Sequence, residues 1–348
     1  MEEKDFVQLV RPNIAALTPY SSARHEFTGH ADIYLDANEN PFSHHRWNRY
    51  PDPFQSALKN KLIEIKKCAV DEIFIGNGSD EAIDLLIRIF CEPGVDQIVT
   101  VEPTYGMYRV AADINNVAVN RQTLNPDYSL DIDTVLAHTT SADKILFLCS
   151  PNNPTGNAID ADVLLRGIKG FHGIVVIDEA YIDFSSQPSM IQYIESCPNL
   201  VILQTFSKAW GLAGLRMGMA FGPAWIIRLM NAVKPPYNIN SYSQEIALQS
   251  LSKLEEVQDE IATIIEGRNQ LRDFLVNHPS VLEVYPSDAN FLLFKCIGAK
   301  SLFEYLRTEG IVIRDRSNVV LCEDCLRLTV GSPEENKIFI ERMNNYNQ

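Results

Sequence analysis

Positive charge is scarce in this chain. Against 45 Asp and Glu there are only 30 Lys and Arg, and the formal net charge is -15. That balance argues against nucleic acid or an anionic membrane as the main partner, although a few well-placed arginines can still hold a small anion. Long apolar runs are also missing. No stretch approaches the roughly 20 residues that a membrane span needs, and the charged start Met1-Glu2-Glu3-Lys4-Asp5 reads as neither signal nor transit peptide. The expectation is a cytoplasmic protein. The seven cysteines are odd in number and scattered, which suits reduced thiols. Cys322 and Cys325 form a C-x-x-C with no second pair to complete a zinc site. His44 and His45 are adjacent, point apart in an extended segment, and have no third ligand nearby; no metal is expected. Ser150 lacks a G-x-S-x-G setting, and no dinucleotide-type G-x-G-x-x-G follows the first strand. Repeats and low-complexity tracts are absent.

What is present is an ordinary globular composition, 46% hydrophobic over 348 residues, enough for one large domain and a smaller one. Short apolar runs at 72–76, 97–101, 144–149, 173–178 and 200–206 read as buried strands, and 80–91 and 160–169 as helices between them. This alternation predicts an α/β layer with a mostly parallel sheet. In such sheets functional groups gather at the carboxyl ends of the strands. Residues 243–276 read as one long helix or a broken pair. Short strands are expected near 281–285, 291–295, 311–314 and 326–330, with helices at 301–309 and 333–344. The expected division is a large domain over 45–235 and a discontinuous small α+β domain made of 1–44 and 236–348. The first forty or so residues, with Pro12, Pro19 and Pro41, form an arm across the surface.

Four segments follow strand ends and carry reactive groups. Thr205-Phe206-Ser207-Lys208-Ala209 leads into Gly211 and Gly214-Leu215-Arg216. A lysine there, near a second cation, can have a depressed pKa and attack a carbonyl; an exposed loop lysine fits too. The strand 173–178 ends in Asp178, followed by Tyr181. A buried strand-end carboxylate suits a protonated pyridine ring, as pyridoxal 5′-phosphate (PLP) requires; a plain helix or turn cap is the ordinary alternative. Gly76-Asn77-Gly78-Ser79-Asp80 opens an apolar helix, which makes a phosphate seat or merely a capped start. Ser150-Pro151-Asn152-Asn153-Pro154-Thr155-Gly156 is a rigid loop that fixes the amide of Asn153, or simply a good turn.

Taken in order, S-x-K-x-x-G-x-x-G-x-R, D-E-A-Y, N-N-P-T-G and G-x-x-D-E resemble the fold-type I PLP enzymes of the aspartate-aminotransferase class over nearly the whole length. The strings 17–20 (L-T-P-Y), 35–41 (L-D-A-N-E-N-P), 50–52 (Y-P-D), 103–108 (P-T-Y-G-M-Y) and 325–331 (C-L-R-L-T-V-G) are similar to the histidinol-phosphate aminotransferase family. Trp210 stands where relatives often carry Phe. The resemblance implies that Lys208 holds PLP covalently and then moves the substrate proton. It implies that Asp178 meets the ring nitrogen, that Tyr181 and Asn153 meet the ring oxygen, and that Tyr105 stacks on the ring. Ser79, Asp80, Thr205, Ser207 and Arg216 would surround the cofactor phosphate, the first two through backbone N–H groups. Tyr50 would reach the phosphate of a neighbouring subunit, so that a homodimer shares its active sites. Arg314 and Arg327 would bind anionic substrate ends, with Tyr20 and Asn38 in the same pocket; for Arg314 an ion pair with Asp315 or Glu323 is the ordinary alternative. The implied reaction moves an amino group from L-histidinol phosphate to 2-oxoglutarate, giving imidazole acetol phosphate and glutamate in histidine biosynthesis. Threonine-phosphate decarboxylase and aromatic aminotransferases share much of the pattern. A PLP-binding regulator would need a basic DNA-binding domain, and a scaffold protein gives Lys208 and Asp178 no reason to coexist.

Overall fold

The computed structural model describes residues 2–20, 31–42 and 46–346. His44 and His45 lie outside the described residues. A seven-stranded sheet forms the centre, in the order β1-β7-β6-β5-β4-β2-β3. Its strands are β1 (Ile73–Asn77), β2 (Gln97–Glu102), β3 (Ala118–Thr123), β4 (Asp143–Cys149), β5 (Ile174–Asp178), β6 (Leu200–Thr205) and β7 (Met217–Phe221). The interior strands are apolar on both faces, because helices cover both. Alternate residues divide between the two layers: Ile75, Val175, Ile177 and Ile202 pack into one core, whereas Phe74, Val176, Val201 and Leu203 pack into the other. Each such side chain contributes roughly 1.5–3 kcal/mol by leaving water, so the sheet's position is fixed by its sequence pattern.

All neighbouring pairs are parallel except those of β7, which runs against both β1 and β6. That reversal matters for the site. The carboxyl ends of six strands and the amino end of β7 share one edge, so Arg216, just before β7, stands beside Gly78 and Thr205. The helix Gly78–Phe90 starts at this edge and buries Ala82, Ile83, Leu86 and Ile89 against the sheet.

A second, four-stranded antiparallel sheet has the order β10-β11-β9-β8, built from β8 (Val281–Val284), β9 (Phe291–Cys296), β10 (Arg314–Asp315) and β11 (Cys325–Thr329). Its outer core contains Leu292, Phe294, Leu302, Leu326 and Phe339. The expected 243–276 helix is a broken pair, Ser241–Leu251 and Leu254–Val276. The first strand of the hairpin is only two residues long and starts at Arg314, later than expected, since Ile311 to Ile313 lie outside the ladder. At the amino end, Phe6 and Val10 pack into the second core layer, and Arg11 pairs with Glu92 at 2.9 Å. No helix among the described residues is long and apolar enough to cross a membrane.

Candidate active site

At the shared edge a cavity of about 520 Å³ gathers Ser79, Asp80, Tyr105, Asn153, Asp178, Tyr181, Thr205, Ser207, Lys208, Arg216, Arg314 and Arg327. Residues up to 248 positions apart in the chain (from 79 to 327) thus meet in one space because the strand ends bring them there.

Asp178 ends β5 and is 3% exposed. Its Oδ2 accepts a 2.7 Å bond from the Tyr108 hydroxyl, and its Oδ1 accepts from the Ala180 N–H at 3.0 Å. Burial raises its pKa above the usual carboxylate range; the hydrogen bonds from Tyr108 and Ala180 only partly oppose this. No cation forms an ion pair with it among the described residues. Tyr108 went unassigned in the sequence reading. It is fully buried and stacked on Phe147, with ring centres 4.7 Å apart. It lies in the first turn of the helix Met107–Ile114, and its local sequence carries no signal of its bond to Asp178.

Lys208 reaches into the open cavity, its Nζ 5.5 Å from the Tyr181 ring centre. Burial by the surrounding walls lowers its pKa from 10.5, Arg327 adds to the effect, and Asp178 opposes it. The Asn153 amide donates to the Tyr181 hydroxyl oxygen at 3.4 Å, while the Arg327 guanidinium donates to the Asn153 Oδ1. Lys208, Tyr181, Asn153 and Arg327 are thereby linked in sequence from one wall of the cavity to the other.

The helix start is shaped by close approach. Gly78 has φ +74°, and a Cβ there would meet the Arg216 guanidinium at 2.9 Å; a Cβ on Gly218 would strike the Ser79 nitrogen at 2.2 Å. Ser79 and Asp80 lie in the first turn, where N–H groups have no carbonyl within the helix and the helix dipole favours an anion. The Asp80 carboxylate is turned aside: it accepts from the Tyr105 hydroxyl at 3.1 Å and pairs with Arg216 at 3.2 Å. It therefore orients a ring and a cation. The Thr205 hydroxyl accepts from the Ser207 N–H at 3.0 Å, fixing the turn that carries Lys208.

The opposite wall comes from the small sheet. Arg314 in β10 lies directly across the ladder from Arg327 in β11. Arg314 forms no ion pair with Asp315 or Glu323 among the described residues. Arg316 also lines the cavity and was not singled out from sequence. Its signal was the alternation Arg314-Asp315-Arg316, which puts both arginines on one side of an extended chain. The Arg327 guanidinium sits 5.1 Å above the Phe291 ring. Burial, then Arg316, lowers its pKa to about 10. The Nε atoms of Arg316 and Arg327 are buried without a partner.

Among the described residues, the arm does not join this cavity within one chain. Asn38 and Tyr50 line a separate cavity of about 490 Å³ with Trp47, Tyr237 and Tyr242. The reason is local tethering: Glu39 pairs with Arg49 at 2.6 Å and accepts from the Tyr50 N–H, and Tyr50 stacks on Tyr237 at 4.4 Å. Tyr20 is 71% exposed and lines neither cavity. The expected grouping of Tyr20 and Asn38 with the arginines is thus not made inside a single chain.

Comparison with known proteins is consistent with this architecture. A histidinol-phosphate aminotransferase of Parabacteroides distasonis is 50% identical over 342 residues, covering 98% of this chain and 99% of that protein. One of Cytophaga hutchinsonii is 46% identical, covering 97% and 98%. The solved structure of the histidinol-phosphate aminotransferase from Clostridium acetobutylicum superposes with a TM-score of 0.79 at 24% identity, over 86% of this chain and 92% of that one, a likeness of fold. Residues 32–343 match the family described as aminotransferase class I and II, and the chain belongs to that family.

Proposed function

We propose that this chain is a PLP-dependent aminotransferase that takes its amino group from L-histidinol phosphate and passes it to 2-oxoglutarate, giving imidazole acetol phosphate and glutamate. The observation that carries the reading is the meeting of Lys208, Asp178, Asn153 and Tyr181 in one cavity, opposite Arg314, Arg316 and Arg327, which form no ion pair among the described residues. Relatives at 45–50% identity over nearly their whole length bear the histidinol-phosphate aminotransferase name, which supports the choice of donor.

The residues present fit PLP. Asp178 is a buried carboxylate that forms no ion pair among the described residues, which suits a protonated ring nitrogen. Ser79 and Asp80 offer backbone N–H groups, and Arg216 a positive charge, where a phosphate group would sit. Lys208 has an amine whose lowered pKa suits covalent attachment to an aldehyde. When bound, PLP supplies that aldehyde and a cationic ring that withdraws electrons from the carbon losing its proton.

The protein's own groups do the rest. Lys208 Nζ would hold the cofactor at rest, then carry the proton from the substrate Cα to the cofactor carbon that bears the exchanged nitrogen. Asp178, held from both sides by Tyr108 and Ala180, would keep a proton on the ring nitrogen. Tyr181 and Asn153 would hold the ring oxygen, and Tyr105, steadied by Asp80, would cover the ring. Arg327 and Arg314 orient the anionic end of each substrate, so that one pocket serves a phosphate in one half-reaction and a carboxylate in the other.

The same reading extends to assembly. Tyr50, Asn38 and Tyr20 complete the active site of a second copy in a cytoplasmic homodimer, with a large domain over 45–235 and a small one from 1–44 and 236–348. A donor panel tests the reaction. Purified, PLP-loaded protein is mixed with one candidate amine at a time and no acceptor. L-Histidinol phosphate is expected to bleach the visible absorbance of the bound cofactor, and 2-oxoglutarate to restore it. Release of carbon dioxide from threonine phosphate, with no response to histidinol phosphate, would make the chain a decarboxylase instead.

A further inference from the structure

Arg316 adds a third guanidinium to the two that the sequence pattern singles out. It follows β10, its backbone N–H donates to the Cys325 carbonyl at 2.9 Å, and it lines the same cavity as Arg314 and Arg327. The ladder already places Arg314 directly opposite Arg327. Like charges facing each other across a pair of strands are destabilising, and a third cation beside them adds to the cost.

The protein offers little to offset that cost. None of the three arginines is in an ion pair among the described residues. Arg327 has one side-chain acceptor, Asn153. The Arg316 side chain has no hydrogen-bond partner among the described residues, and its Nε is buried. A structural arginine is tethered by carbonyls or carboxylates, so a purely structural role leaves Arg316 unexplained. A single guanidinium fork is enough to grip a carboxylate. Three converging forks match a group with more oxygens and a second negative charge.

We infer that Arg316 is a specificity-determining residue, which tunes this end of the pocket for a dianionic phosphomonoester over a carboxylate. This deepens the function proposed above and rests on its use of a phosphorylated donor. Arg314 and Arg327 grip either anion, whereas Arg316 engages fully only when the third oxygen and second charge of a phosphate are present.

The test is calorimetric titration of the PLP-loaded protein, its cofactor phosphate seat already filled, with inorganic phosphate and, separately, with succinate. In R316Q the dissociation constant for phosphate is expected to rise about 10- to 100-fold, as loss of charge-assisted bonds implies, and that for succinate by about threefold or less. R316K keeps the charge but loses the fork, and is expected to fall between wild type and R316Q. If R316Q does not fold, the R316K comparison carries the test. A phosphate-to-succinate ratio unchanged from wild type, or equal weakening toward both anions, overturns the inference. Failure of the wild-type enzyme to accept histidinol phosphate would overturn the proposed reaction, while the phosphate-to-succinate ratio would still decide the role of Arg316.

Discussion

The two walls of the cavity treat charge in opposite ways. On the strand-end wall, Asp80 is paired with Arg216 and bonded by Tyr105, and the Asp178 carboxylate is held by two donors. That wall is set in shape by its own hydrogen bonds. On the hairpin wall, Arg314, Arg316 and Arg327 face one another with Asn153 as the only side-chain acceptor among the described residues. In the proposed reaction the strand-end wall would be a preformed cradle that keeps one cofactor through both half-reactions, and the under-compensated hairpin wall would accept two different anions in turn. Preorganisation suits the permanent ligand, and unpaired charge suits the exchanging one.

Variants in each wall should separate these roles. The largest effect is expected from Lys208→Ala, which should lower turnover by about 10⁴-fold or more, since it removes both the covalent anchor and the proton carrier. Asp178→Asn comes next, with a loss of about 10²- to 10³-fold in kcat as the ring nitrogen loses its counter-charge. Its effect on stability should have the opposite sign. The folded pKa of Asp178 is raised, so ionising it costs the folded state above that pKa, and the cost disappears as pH falls toward the unfolded value. Cofactor-free D178N should therefore melt no lower than wild type at pH 7, and its advantage should shrink at acidic pH. A clear destabilisation at pH 7 would show that the carboxylate is a structural asset.

Arg327→Gln should act mainly on substrates. Its KM values for both donor and acceptor should rise about 10- to 100-fold, while retention of PLP during gel filtration stays as in wild type. Loss of cofactor in this variant would break the division between the walls. Tyr50→Phe should give the smallest change, a few-fold weaker hold on PLP, visible by equilibrium dialysis. Because Tyr50 lies in a different cavity from Lys208 within one chain, mixed dimers of Y50F and K208A chains should hold PLP at their one remaining Lys208 site as tightly as wild type. A hold as weak as that of Y50F alone would argue against sharing across the two-fold.

The cradle was readable in the sequence because each of its strands is an apolar run that stops at a polar motif. β2, β4, β5 and β6 were placed within a residue or two for that reason. β3, with alternating exposed polar residues at the sheet edge, and β7, a short Met-Gly-Met-Ala-Phe run, lack the same contrast and were not named. The sequence pattern also leaves six α-helices of the described residues unmarked: Glu3–Val7, Pro12–Ala15, Ser56–Lys66, Met107–Ile114, Ile132–Ala137 and Ala224–Val233. Tyr108 becomes visible only through tertiary contact, since its place depends on the register between a helix and β5. For Arg316 the alternation with Arg314 is in the sequence, but which side of the chain faces the cavity is set by tertiary contact. The arm residues Tyr20, Asn38 and Tyr50 came from resemblance alone, and a single chain does not bring them to the arginines.

The central claim is that the cofactor is held at the strand-end wall, by Lys208. Its most direct measurement is borohydride reduction of the PLP-loaded protein, followed by peptide mapping in a mass spectrometer. The pyridoxyl mass is expected on Lys208 alone. Label on another lysine, or an unmodified Lys208 in protein that still turns over, would contradict the account.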